Sequence, residues 1–265
     1  MISGFEMKER YGMQDLLDIM RLLRAPDGCP WDREQTHQSI KKNLIEETYE
    51  LVEAINRDDS AMMREELGDV LMQVVFHSCM GEEENRFTFD DVVNEVCQKL
   101  VVRHPHVFGD VTVSGTGDVL NNWDAIKRQT KGQKNFSQAM DSVPREFPAL
   151  MRAQKIQGKA AKAGFEFEDL ADAMRKIPEE YAEIEERISA GDRDGAAEEL
   201  GDLLFSAVNV SRFLKADAEE ILTEATDKFA ARFKKVEAMA AKAGHAIEDL
   251  SVQELDALWE QAKQM

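Results

Sequence analysis

Apolar residues recur every three to four positions through most of this chain, the spacing that lines one face of an α-helix. Leu44, Leu51, Ala54 and Ile55 form one such stripe. The periodicity predicts helices over residues 13–24, 41–56, 61–80, 89–103, 118–130, 148–163, 172–189, 194–214, 217–242 and 251–263. Segment 61–80 differs in kind, because its LGDVLMQVVF run is apolar on nearly every side, as in a helix buried all round. RDDS makes a turn between 41–56 and 61–80, where Asp58, Asp59 or Ser60 is a candidate cap, and SAGDRD joins the corresponding later pair. Only HVFGDVTVSG has a faint strand character, and 109–117 reads as a loop. With 15 glycines and 6 prolines, turn-makers are too few for a many-stranded protein, so the expected fold is all-α.

The pattern occurs twice. IEETYELVEAINRDDSAMMREELGDVLMQVVF (45–76) is echoed by PEEYAEIEERISAGDRDGAAEELGDLLFSAVN (178–209), each reading EExxE, a gap, then EELGDxL. Glu47, Glu50, Glu66 and Asp69 therefore correspond to Glu180, Glu183, Glu199 and Asp202. Downstream, Lys99 and Arg103 match Lys228 and Arg232, each a K-x-x-x-R, and Trp123 and Lys127 match Trp259 and Lys263, each a W-x-x-x-K. Three signals in one order define a duplication. The expected organisation is two helical-bundle modules, 1–135 and 136–265, with the boundary inside the loop-like stretch 130–144.

The repeated acids point to a metal. Glu47 falls inside the apolar stripe of its helix and Glu50 at its edge, while Glu46 and Glu53 face away as ordinary solvated residues. Glu66 and Asp69 interrupt a helix that is otherwise apolar, where an unpaired carboxylate costs several kcal/mol or becomes neutral. Spacing of i,i+3 puts two acids together on each helix, and an antiparallel hairpin brings the pairs face to face. A divalent cation compensates four such acids, and all-oxygen ligands select magnesium, with manganese as substitute. A di-iron bundle requires Glu-x-x-His motifs, which none of the 5 histidines forms. Buried ion pairs are the bland alternative, awkward to invoke at both copies. The Lys-x-x-x-Arg pairs suit phosphate oxygens but are common on exposed helices. The tryptophans are more often core than base-stacking platforms.

Composition narrows the partners. Against 33 Lys+Arg stand 52 Asp+Glu, a formal charge of −19 that disfavours nucleic-acid polymers and anionic membranes. Cys29, Cys79 and Cys97 lack CxxC spacing, so neither a disulfide framework nor a zinc site is expected, in keeping with a reducing cytoplasm. The N-terminal stretch lacks the apolar core of a signal peptide, and the run 70–80 is far short of a membrane span. A two-helix unit with so apolar a second helix needs further helices to pack on, so self-association, as a homodimer, is expected.

The duplicated EExxE and ExxD motifs, together with CPWDREQTHQSI (29–40) and RHPHVFGD (103–110), resemble the MazG family of nucleoside triphosphate pyrophosphohydrolases from about Met13 to Lys263. That resemblance implies the all-α NTP pyrophosphatase fold shared with dimeric dUTPases. It further implies magnesium-dependent hydrolysis of ribo- and deoxynucleoside triphosphates to the monophosphate and pyrophosphate, as broad nucleotide-pool housekeeping. Carried over by position, Glu180, Glu183, Glu199 and Asp202 become catalytic metal ligands. Lys176, Glu179, Glu180, Ala196, Ala197 and Glu198 border the nucleotide, Lys228 and Arg232 hold phosphates, and Trp259 and Lys263 close the site. The resemblance credits the C-terminal copy with catalysis, yet Glu47, Glu50, Glu66 and Asp69 keep the first copy's ligand set intact. Glu180 or Glu183 is expected to take the proton of the attacking water. Pro178, two residues before Glu180, is expected as a tolerated kink or the start of the ligand helix. The alternatives are a dUTPase-like enzyme and a non-catalytic helical dimerisation or regulatory protein.

Overall fold

The computed structural model describes residues 5–130 and 135–264, and among them every regular element is helical. The side chains at 120, 121, 124, 128 and 129 are outside that description. Two compact units divide between Lys127 and Arg128. Residues 131–134 of the stretch expected to hold the module boundary lie outside the described residues.

The first unit comprises α1 (Met13–Arg24), α2 (Pro30–Glu34), α3 (Lys41–Asn56), α4 (Ser60–Glu83), α5 (Phe89–Arg103), α6 (Pro105–Phe108) and α7 (Thr116–Thr130). Helices α3 and α4 pack together, and α1 and α5 pack on α4. The core gathers Met20 of α1 and Ile40 against Val75, Phe76, Cys79 and Met80 of α4. Removing those side chains from water is the main term holding the unit together, at roughly 1.5–3 kcal/mol for each large apolar side chain.

The second unit comprises α8 (Phe136–Asp141), α9 (Ala149–Lys162), α10 (Leu170–Ser189), α11 (Arg193–Phe213), α12 (Ala218–Lys242), a 3-10 turn (Ile247–Asp249) and α13 (Val252–Gln264). Helices α10 and α11 form its central hairpin, α9 packs on α11 and α12, and α13 packs on α12.

The two hairpins turn in the same way. Asp58 (φ 53°) and Gly191 (φ 75°), equivalent in the repeat, take the left-handed conformation that reverses the chain. The next residue caps the following helix. Asp59 accepts from the backbone N–H groups of Ala61 (3.0 Å) and Met62 (3.1 Å), and Asp192 accepts from Gly195 (3.0 Å). Of the three cap candidates, Asp59 is the cap.

Pro178 lies inside α10, which runs from Leu170 to Ser189, so the ligand helix does not begin there. Three short helices depart from the expected plan. The stretch 130–144, read as loop, contains α8, capped by Asn135 onto the Gln138 N–H at 2.9 Å. The strand-like HVFGDVTVSG opens in α6, and α2 begins on Pro30. At four to six residues, none is long enough to establish a periodicity.

Candidate active site

Each hairpin concentrates three carboxylates. Oxygens of Glu47 (α3), Glu66 and Asp69 (α4) lie within 4.8 Å of one another, and so do those of Glu180 (α10), Glu199 and Asp202 (α11). The fourth acid of each expected quartet, Glu50 or Glu183, is exposed and stands outside the triad. The reason is local. Each lies one turn along its helix from Glu47 or Glu180, at the edge of the apolar stripe, where its carboxylate reaches solvent.

Glu66 is 8% exposed, and its Oε2 is buried with no hydrogen-bond partner. Burial, followed by repulsion from Glu50 and Asp69, holds its carboxyl above the usual range, and Glu47 is raised by burial and by Asp69. Such a group lacks a cation. The triad fits a hard divalent ion: its donors are all carboxylate oxygens, the ligand type that magnesium and calcium take. The orphaned Oε2 is a ligand atom of the right chemistry in that place.

In the second hairpin Glu180 is 6% exposed, and the cluster contains cations of its own. Lys176 lies 2.8 Å from both Glu179 and Glu180, and its ammonium is raised by the hydrogen bonds to those two acids. Arg187 reaches Glu199 at 3.3 Å and Asp192 at 3.3 Å. The equivalent positions in the first hairpin are Asn43 and Ala54. Glu183 is held above the usual carboxyl range by partial desolvation, then by repulsion from and hydrogen bonding with Glu199. Arg187 has no counterpart in the first copy, where Ala54 stands, so the repeat does not reveal it. Its position two turns beyond Glu180, facing Glu199 across the hairpin, was the available signal.

The remaining site residues stand on two other helices. Lys228 and Arg232 lie on α12, and Trp259 and Lys263 on α13. Trp259 packs on Phe229 with ring centroids 5.0 Å apart, next to Lys228. Lys263 pairs with Glu260. Among the described residues, no hydrogen bond or ion pair joins Lys228 or Arg232 to the Glu180 cluster. The first unit repeats the device: the Arg103 guanidinium lies 5.5 Å over the Trp123 ring, which meets His104 edge-on at 4.8 Å. Ala196, Ala197 and Glu198 occupy the first turns of α11, immediately before Glu199.

The family model described as the MazG nucleotide pyrophosphohydrolase domain matches residues 35–108 and 162–237. Each match spans one hairpin and its carboxylate triad. A nucleoside triphosphate pyrophosphohydrolase/pyrophosphatase MazG of Thermotoga maritima is 48% identical over 250 residues, covering 94% of this chain and 95% of that protein. A nucleoside triphosphate pyrophosphohydrolase of Escherichia coli is 43% identical over 251 residues, again covering 94% and 95%. One of Mycolicibacterium smegmatis is 35% identical over 179 residues, which span 67% of this chain and 54% of it.

Proposed function

This chain belongs to the MazG nucleotide pyrophosphohydrolase family, and from that premise we propose how its two hairpins divide the work of hydrolysing nucleoside triphosphates. The reaction is cleavage between the α and β phosphates, giving the nucleoside monophosphate and pyrophosphate. Ribo- and deoxynucleotides alike are the substrates we propose, with magnesium as the ion and manganese as its substitute. The observation that carries this reading is the convergence of Glu180, Glu199 and Asp202 within 4.8 Å, with Glu180 buried.

Glu180, Glu199 and Asp202 would hold the ion, with Glu183 at its edge. In the first module Glu47, Glu66 and Asp69 would do the same, with Glu50 at the edge. A bound divalent ion neutralises phosphate charge and acidifies a coordinated water. Of the two acids that sequence left open as general base, we assign Glu183. Glu180 is engaged by Lys176 at 2.8 Å, whereas Glu183 is open to solvent beside Glu199. Lys176 can exchange its carboxylate partners for phosphate oxygens as the substrate arrives. Glu179 and residues 196–198 border the nucleotide in this scheme. Lys228 and Arg232 supply further phosphate contacts, with Trp259 and Lys263 closing over them.

The modules we propose are 1–135 and 136–265. Their self-association, as a homodimer, is supported by apolar side chains exposed at matching repeat positions: Ile55, Leu67 and Leu71 in the first hairpin, and Ile188, Leu200 and Leu204 in the second. Three free cysteines accord with a reducing cytoplasm. No described helix is long and apolar enough to cross a membrane.

Product analysis tests the reaction. The intact protein with magnesium and each of the common ribo- and deoxynucleoside triphosphates is expected to release monophosphate and pyrophosphate, and to be inactive after chelation. Orthophosphate as the primary product would refute the α–β assignment, and turnover confined to dUTP would refute the breadth of substrate.

A further inference from the structure

Two buried glutamines carry a side-chain oxygen that no donor reaches, Gln73 of α4 in the first unit and Gln157 of α9 in the second. Gln157 is anchored by its other end, where Nε2 donates to the Phe205 carbonyl at 2.7 Å. Gln73 has no such anchor. It is 4% exposed, and among the described residues its side chain makes no hydrogen bond. A buried amide left unpaired destabilises the fold, and a bound ion or ligand at that place is what would satisfy it.

Gln73 belongs to the ligand face of α4. At about 100° per residue it falls between Glu66 and Asp69 around the helix axis, about 20° from the first and about 40° from the second. It lies one turn, about 6 Å, beyond Asp69, and helical side chains lean towards the N-terminus, over the preceding turn. Its amide is thereby carried back towards Asp69. Glu66 stands on the same face with an Oε2 that is also buried and unpaired. A carbonyl oxygen and a carboxylate oxygen thus share one face of one helix without a donor, and a cation is the group that accepts both.

The second module does not repeat this arrangement. The counterpart of Gln73 is Ser206, whose side chain is two bonds shorter, and the counterpart of Asn43 is Lys176, whose ammonium already lies 2.8 Å from Glu180. The difference bears on what an ion can do. Amide oxygens are ordinary ligands of hard cations, and each protein oxygen added displaces a water that substrate phosphate would otherwise replace.

We infer that the Gln73 carbonyl oxygen is a fourth protein ligand of the first module's ion, beside Glu47, Glu66 and Asp69, and that the ion there is a held brace between α3 and α4. The inference rests on the proposed reading of that triad as an ion site. One set of carboxylates then serves two ends. In the second module, with three carboxylates and no fourth oxygen from α11, the ion keeps positions open for a triphosphate. In the first, the extra oxygen closes a position, and the ion joins the two helices of the hairpin.

Ion binding tests this without turnover. In the full-length chain, Glu199→Ala leaves the first module to be read, and Glu66→Ala leaves the second. Mn²⁺ affinity is followed by the loss of the free-ion EPR signal, and the water remaining on the bound ion by water-proton relaxation. The first-module ion should hold at least one water fewer than the second-module ion. Added to Glu199→Ala, Gln73→Leu should weaken Mn²⁺ binding at least about tenfold and restore a water, whereas Gln73→Glu should hold the ion as tightly as glutamine does or more so. Should either substitution prevent folding, the water comparison, made with Gln73 in place, still decides. Undiminished affinity in Gln73→Leu would overturn the inference, as would equal water counts in the two single variants or weaker binding in Gln73→Glu. Absence of Mn²⁺ from Glu199→Ala would overturn it together with the first module's reading as an ion site, while absence of pyrophosphate release would strike the proposed reaction alone.

Discussion

Lys176 lies 2.8 Å from Glu180 on the same helix, whereas the corresponding residue in the first module is Asn43. With Arg187 at 3.3 Å from Glu199, the second carboxylate cluster is partly neutralised by the chain itself, whereas among the described residues no ion pair reaches Glu47, Glu66 or Asp69. The same set of carboxylates has thus been placed in two electrostatic settings; in the proposed scheme the first takes its cation from outside and the second exchanges an internal cation for substrate.

Removing the internal cation should therefore strengthen metal binding. For Lys176→Met, Mn²⁺ affinity at the second module should rise by about threefold to tenfold, the range expected for losing one partly exposed charge. The KM for ATP should rise at the same time, because a phosphate partner is lost. EPR titration with Mn²⁺ in parallel with steady-state kinetics measures both, and weaker Mn²⁺ binding would contradict the account.

The first module's cost appears as a pH dependence. The carboxyl of Glu66 is raised above 4.5 by burial and then by neighbouring acids, so between the unfolded and the folded value the metal-free fold holds a proton that the unfolded chain has released. This contribution to stability is full below about pH 4.5 and is lost as pH rises through the folded value. Glu66→Gln should raise the melting temperature of the metal-free protein at pH 7.5 and abolish the first module's share of stabilisation by magnesium. Calorimetry with and without EDTA checks both. A lower melting temperature without metal would show that the carboxylate is not strained.

His37 and His77 stack at 5.1 Å with Nδ1 atoms 2.8 Å apart, and burial, then His37, holds His77 below 6.5. A depressed histidine has the opposite sign to Glu66. Its contribution is intact above pH 6.5 and is lost as pH falls towards the folded value. His77→Gln should flatten the fall in melting temperature between about pH 6.5 and 5. An unchanged slope would assign that fall to other groups.

Glu183→Gln separates the general base from the metal ligands. Its kcat should drop by about 10²–10⁴-fold while Mn²⁺ still binds. Loss of Mn²⁺ binding would make Glu183 a ligand instead.

Much of this arrangement was readable from the chain. The boundaries of α1, α3 and α5 coincide with the expected 13–24, 41–56 and 89–103, because a long amphipathic stripe fixes a helix before any tertiary contact is known. The repeat identified the acids that converge, and the depth of Glu66 follows from its apolar neighbours on α4. What escaped lies where periodicity carries no information. Helices α2, α6 and α8 are too short, and the pairing of Arg187 with Glu199 depends on the register of two helices. Gln157 is the clearest case. Nothing adjacent in sequence distinguishes it from a surface glutamine, and its buried acceptor emerges only when α9 packs on α11.

In the proposed scheme the second module's carboxylates carry the reaction. Pyrophosphate release from ATP by full-length Glu199→Ala, with magnesium, tests it most directly. kcat/KM should fall by at least about 100-fold with the helical circular dichroism signal retained, since a proposed metal ligand is lost where supporting residues alone are worth 10–100-fold. Activity equal to that of the wild type would remove Glu199, and the second module with it, from the mechanism.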